Sequence, residues 1–202
     1  MIRLLTSLLA VLSLVACTRD HIMASDAEVA RARYVDPNPA SITLLTSFNT
    51  RTKAGVHSAL LINGSQRVLY DPAGNWAHPA APERNDLHYG MTPQFLALYA
   101  DFQGTAPFEL LQQTIFVTPE VADQVIRNSI AHGSANKAAC TNAIGQILRP
   151  VPGFESLPRT LFPKRMSVAF GRLPGVQSRT ITSLDGDLRK TIPGLSLAGS
   201  GG

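Results

Sequence analysis

Apolar and polar residues alternate along the chain in patterns that divide it into segments. The first segment is a single apolar run from Leu4 to Val15, interrupted only by Thr6, Ser7 and Ser13. It is shorter than the roughly 20 residues a spanning helix needs. Short runs with strand character follow at 41–48 (SITLLTSF), 56–62 (VHSALLI), 67–71 (RVLYD), 108–117 and 179–184. Two of them flank Asn63-Gly64-Ser65, which predicts a turn and therefore a hairpin. Helices are predicted where a capping residue precedes apolar residues at helical spacing. Thr92-Pro93 opens one through about residue 102, and Thr118-Pro119-Glu120 opens another toward Ala131. A third covers 163–173, and a short one covers 25–33, with Ser25 as cap and Glu28 as its capping-box partner. Residues 49–54, 75–89 and 151–161 read as loops, the last two punctuated by proline. Strands joined as hairpins and helices in a cluster predict an α+β fold rather than a βαβ series.

One stretch changes character part-way. In 135–148, ANKAACTNAIGQIL, a small polar run gives way at Cys140 to Ile144, Ile147 and Leu148 at helical spacing, and Pro150 stops the pattern. Cys140 is thereby placed at or near the first turn of a helix. The unpaired N–H groups and the dipole there favour a thiolate, the reactive form of cysteine. The competing reading is a buried structural thiol.

The amino terminus bears on that choice. Arg3 ahead of the apolar run gives the layout of a secretory signal over residues 1–16. Leu14-Val15-Ala16-Cys17 resembles the lipobox of bacterial lipoproteins. That resemblance implies cleavage before Cys17, diacylation of Cys17 and a stable membrane anchor. Thr18, rather than Asp, follows the cysteine, which favours the periplasmic face of the outer membrane within the cell envelope. An ordinary cleaved signal is the alternative. With Cys17 lipidated, Cys140 has no intramolecular partner, and an odd cysteine in an oxidising compartment is a liability unless it is buried or used.

Residues 17–40 then form a tether that contains His21, residues 41–193 a single domain, and residues 194–202 a Gly/Ser-rich tail. The domain is large enough for a substantial core. Of the whole chain, 45% is hydrophobic and 16% charged, which is a globular composition. The formal charge of +4 is scattered, without a basic stripe interleaved with aromatics, which argues against nucleic acid as a partner. No spacing of His and Cys matches a metal pattern, so neither a metal nor another cofactor is expected. Oligomeric state leaves no signature.

His57 begins a predicted strand, with small Ala59 two residues on and on the same face. The next strand ends in Tyr70-Asp71. A cysteine nucleophile needs a base within reach, and the base needs an orienting group; Cys140, His57 and Asp71 can supply all three. His132 ends the helix before the Cys140 loop. His78 and His88 are placed in the 75–89 loop, where they could line a cleft. Trp76 either stacks on a ligand or packs in the core.

The run VHSALLINGSQRVLYDPAG resembles the His-bearing hairpin of papain-like NlpC/P60 proteins. In those proteins a His starts one strand, a small residue stands two on, and a polar residue ends the next. In most members the Cys helix precedes this hairpin. Here it follows, an order similar to that of the circularly permuted branch, which includes lecithin–retinol-acyltransferase-like enzymes and bacterial periplasmic relatives. The resemblance covers residues 41–176. It implies an antiparallel sheet packed against a Cys-bearing helix, with Cys140 as nucleophile and His57 as base. The hairpin is a residue or two longer than the usual pattern, so either Asp71 or Tyr70 takes the third place. A carboxylate both orients an imidazole and stabilises imidazolium, which favours Asp71, although an Asp before Pro is also a common turn former. The implied activity is that of a thiol hydrolase or acyltransferase on amide or ester bonds, of peptidoglycan peptides or of acyl groups on lipids or lipoproteins, through an acyl-enzyme on Cys140. A non-catalytic ligand-binding module and a structural envelope lipoprotein are the alternatives.

Overall fold

The computed structural model describes residues 23–181. The apolar run and signal at 1–16, Cys17, His21, residues 182–184 of the last predicted strand and the 194–202 tail lie outside the described residues. The fold is α+β, as the pattern predicts. In chain order it comprises α1 (Asp26–Ala32), β1 (Ser41–Asn49), β2 (Gly55–Asn63), β3 (Arg67–Tyr70), β4 (Glu83–Arg84), β5 (Leu87–Tyr89) and α2 (Pro93–Gly104). Then follow β6 (Phe108–Phe116), α3 (Pro119–His132), α4 (Cys140–Leu148), α5 (Pro163–Phe170) and β7 (Gln177–Ile181). The strands form one seven-stranded sheet in the order β4-β5-β3-β2-β1-β6-β7, with every neighbouring pair antiparallel.

The centre of the sheet is covered on both faces. Side chains alternate across a strand, so successive residues of β2 feed different cores. Leu60 and Ile62 join Ile42, Leu44, Val68 and Tyr70 under α3, α4 and α5. Ala59 and Leu61 join Leu45 and Leu69 under Trp76, Met91 and Tyr99. This double coverage explains why Ala59–Ile62 of β2 is an unbroken apolar run and why even Thr43 and Thr46 of β1 are buried.

Helices α1, α2 and α3 begin where their capping residues predict. Thr92 accepts from the Phe95 backbone N–H and Thr118 from that of Val121, each with proline in the first turn. Ser25 and Glu28 form the reciprocal capping box of α1. α5 is shorter than expected and stops at Phe170. Its chain turns at Gly171, where a Cβ would lie 2.4 Å from the Gln113 side-chain nitrogen.

Two local readings need correction. Asn63 is not a turn residue: it pairs with Arg67 across the β2–β3 ladder, and the connecting loop is 64–66. The Asn63 side-chain amide donates to the carbonyls of Asn38 and Pro39, tying the tether to the sheet. The 75–89 segment is not all loop. It contains the β4–β5 hairpin, with Arg84 paired to Leu87 around Asn85-Asp86. Both turn residues have positive φ, 53° and 65°, the requirement of a two-residue primed turn that Asn and Asp tolerate best. β5 then pairs with β3, which leaves β4 as the edge strand on that side.

Candidate active site

The three residues expected to act together come from three elements that meet where β3 ends. β3 pairs with β2 only from Leu60 to Asn63, so the Gly55 end of β2 lacks a neighbour on that side. The first turn of α4 lies against this opening. Cys140 is the first residue of α4, and the apolar face Ala143, Ile144, Ile147 and Leu148 is buried against the sheet. The preceding residue, Ala139, provides no side-chain cap, so the leading N–H groups of the helix are left for other acceptors. Ala138 sits at φ 61°, a left-handed conformation that is costly for a residue with a Cβ. The sharp bend there delivers Cys140 to the mouth of the helix.

His57 is aimed by an irregularity in its own strand. Opposite Ser47 and Phe48, β2 carries one extra residue, Val56, between Gly55 and His57. Such a bulge bends the strand and redirects the adjacent side chain. The His57 Nε2 meets Asp71 Oδ1 at 2.6 Å. Asp71 is the first residue beyond β3, fully enclosed, and its Oδ1 also accepts the Tyr99 hydroxyl at 2.8 Å. With Nε2 committed to Asp71, Nδ1 is the nitrogen left for the Cys140 thiol, which lies close enough to the imidazole for each to shift the titration of the other.

Of the two candidates for the third position, Asp71 is the one that meets His57. The Tyr70 hydroxyl points elsewhere, donating to the Gly133 carbonyl at 2.9 Å and lying 3.0 Å from His132 Nδ1. It therefore buttresses the start of the loop that carries Cys140, an effect exerted through the backbone. The two polar residues at the end of β3 point to opposite faces, as successive strand residues must.

The electrostatics follow from this geometry. Burial would lower the imidazole of His57, but hydrogen bonds to Asp71 and Cys140 and the negative charges of both override it and push it up to about 10. Burial would raise the thiol of Cys140. The bond to His57, its charge, and the backbone N–H groups of Ser58 and Thr141 together bring it below the ordinary thiol range instead. Asp71 is likewise opposed by burial and held low chiefly by the hydrogen bond to His57. All three shifts favour the charged forms, thiolate, imidazolium and carboxylate in a row. A raised His57 contributes stability that is complete below its unfolded value of about 6.5 and is lost as pH rises through the folded one. The folded value of His57 is about 10. The depressed Asp71 contributes above about 3.9, and that contribution is lost as pH falls through its folded value.

Three further residues shape the site. Asp86, in the β4–β5 turn, accepts from the backbone N–H groups of Ala73 and Ala135 through Oδ2, and its carbonyl accepts the Asp71 N–H. One buried side chain thus fastens the Asp71 loop to the Cys140 loop. Gly74 closes over Asp71: a Cβ at that position would lie 1.8 Å from Asp71 Oδ2. Tyr99 supplies the second donor to Asp71 and stands edge-on to Trp76, with ring centroids 5.6 Å apart. The positive-φ Asn85-Asp86 pair was the available sequence signal for the turn, but the contacts of Asp86 join segments distant along the chain.

The remaining histidines take other places. His88 is a buried residue of β5, lowered by burial and packed edge-on to Trp76 at 5.1 Å, so it does not line a cleft. His78 stacks on Trp76 and packs on Phe95. Trp76 is itself a core residue. Among the described residues no group of three or more His, Cys, Asp or Glu side chains is arranged to hold a metal ion. Comparison with known proteins by family model, by curated sequence and by solved structure gave no match.

Gly74→Ala tests whether the enclosure of Asp71 sets the reactivity of Cys140. The added methyl must displace the carboxylate. Alkylation of Cys140 by iodoacetamide at neutral pH is expected to slow by about tenfold or more, the equivalent of one pKa unit of lost interaction. It should match the rate of Asp71→Asn. Wild-type alkylation kinetics in Gly74→Ala would show that Asp71 does not govern the pair.

Proposed function

We propose that the chain is a cysteine-dependent acyl hydrolase or acyltransferase built on a circularly permuted papain-like, NlpC/P60-type fold. The observation that carries this reading is the row Asp71–His57–Cys140, with the imidazole bonded to an enclosed carboxylate and the thiol in the first turn of a helix. The order of the elements along the chain, hairpin first and Cys helix later, supports the permuted arrangement. The Cys140 thiolate attacks the carbonyl carbon of an amide or ester, forming a C–S bond as the carbonyl π electrons move to oxygen. That oxygen accepts from the Cys140 backbone N–H at the open end of α4. Collapse breaks the bond to the leaving amine or alcohol, which takes the proton of the His57 imidazolium. Water or an acceptor hydroxyl then attacks the thioester, gives its proton to His57 and returns Cys140 as thiolate. Asp71 keeps the imidazole aimed throughout and stabilises its charged form.

We further propose that Cys17 carries a diacyl anchor that holds the domain at the periplasmic face of the outer membrane. The signal-like run ending in Leu14-Val15-Ala16-Cys17 supports this. An enzyme tethered there would meet peptidoglycan peptides and the acyl groups of lipids or lipoproteins. Mass spectrometry of the mature N-terminus should find acylated Cys17; a mature chain starting elsewhere with an unmodified terminus would remove the anchor.

Turnover of chromogenic acyl esters and short peptide amides, followed by intact-mass analysis, tests the catalytic reading. The expected result is an acyl adduct on Cys140 and a loss of at least about a thousandfold in Cys140→Ser, with the fold preserved. Activity should rise with thiol ionisation at a pH below the ordinary thiol value of about 8.5. It should fall as His57 loses its proton near 10. No adduct, with alkylation of Cys140 only on unfolding, would favour a structural or ligand-binding lipoprotein.

A further inference from the structure

Outside the reactive row, exposed apolar groups and cations converge at helix α5. Helix α5 buries Met166, Ser167 and Phe170 beneath it, and these residues account for its packing on the sheet. Its other side turns outward. Phe162 is 69% exposed, Leu161 57% and Val168 47%. Phe162 and Val168 line a groove of about 630 Å³ together with Lys164, Arg165 and Arg172. The opposite wall is the start of β2, at Ala54 and Gly55. No carboxylate lines the groove, and among the described residues none of the three cations forms an ion pair.

We propose that this face docks the domain on an anionic lipid bilayer. Singly exposed apolar residues are ordinary, but a cluster of them rimmed by cations is not. A protruding Phe and Leu beside Lys and Arg are the two ingredients of interfacial membrane binding. The apolar groups enter the headgroup boundary, and the cations meet anionic headgroups. Among the described residues no helix is long and apolar enough to cross a membrane, so the contact is with the surface. The shape is that of a helix already packed on one side, offering only its outer side and the two residues before it. Charge complementarity selects the bilayer over a second copy of this chain, because two such faces brought together would oppose their cations.

The location gives the contact a consequence. Leu161 and Phe162 follow Thr160, whose carbonyl accepts the hydroxyl of Thr141, the residue after Cys140, at 2.8 Å. On the other wall, Gly55 lies two residues before His57. A Cβ at Gly55 would sit 2.6 Å from the Lys164 backbone nitrogen, so the two walls touch. Docking through this face holds Cys140 and His57 beside the lipid surface. The contact depends neither on turnover nor on acylation of Cys17.

A tryptophan reporter on the face tests it. The mature full-length chain carrying Phe162→Trp is added to vesicles with brominated acyl chains, of phosphatidylglycerol mixed with phosphatidylcholine or of phosphatidylcholine alone. The emission of the parent chain, from buried Trp76, is subtracted. The new residue should shift to shorter wavelength and be quenched by the bromines in the anionic vesicles. The effect should weaken severalfold in phosphatidylcholine, in high salt, and in the Lys164→Glu, Arg165→Glu double variant. Leu161→Trp provides a second reporter should the first fail to fold. Either reporter left unquenched in both vesicle types would overturn the proposal, as would equal quenching that is indifferent to charge reversal. A reporter already shielded before vesicles are added, or one shifted by inorganic phosphate alone, would assign the face to another occupant and overturn it as well.

Discussion

The hydrogen bond between His57 and Asp71 is the interaction on which the candidate site depends. A carboxylate removed from water is costly unless it is paired, so the fold must provide partners or the group must neutralise. Here Oδ1 receives both the imidazole and the Tyr99 hydroxyl, and the charge persists despite full burial. The position of β2, the length of β3 and the packing of α2 all follow from keeping these groups in register. β3 must stop at Tyr70 for Asp71 to leave the ladder, and α2 must pass close enough for Tyr99 to reach it. The imidazole, fixed at Nε2, is then held charged beside the thiol. The reactivity assigned to Cys140 is thus secured two contacts away from its sulfur.

The thiol itself is placed by backbone as much as by side chains. The backbone N–H groups of Ser58 in β2 and of Thr141 in the first turn of α4 help to lower the thiol. An apolar α4 face fixes the depth of the helix, while the bend at Ala138 sets where the helix begins. The same stretch of loop is anchored at its start by Tyr70 and in its middle by Asp86, through the Ala135 N–H. Burial works against both charges of the pair, so they persist only because donors and countercharge are already in place. That preorganisation is what a thiol nucleophile needs, and it lowers the thiol of a cysteine that is only 5% exposed.

Much of this was legible in the chain because it rests on local chemistry. Thr92-Pro93 and Thr118-Pro119 announce helix starts through capping, a matter of three or four neighbouring residues. Cys140 marks its own helix because polarity changes at that point. His57 and Asp71 could be paired because a hairpin relates residues only 14 apart. What escaped was set by contacts distant in sequence or by single backbone angles. Asp86 matters because it joins residues 73 and 135, which nothing local foretells. Gly74 is required by a carboxylate that folds back onto it, and the bulge at Val56 by the way β1 pairs with β2. The β4–β5 strands are too short to show a period, and only their Asn-Asp turn had a readable preference.

The central claim is that Cys140 is a thiolate paired with an imidazolium at neutral pH. Its most direct test is a titration of thiolate absorbance in the ultraviolet, taken as the difference between the wild-type chain and Cys140→Ser and repeated in a His57→Ala background. The account predicts a wild-type midpoint clearly below the free-thiol value of about 8.5, returning to or above that value once the imidazole is removed. A wild-type midpoint at or above 8.5, unmoved by His57→Ala, would contradict it and leave Cys140 a buried, inert thiol.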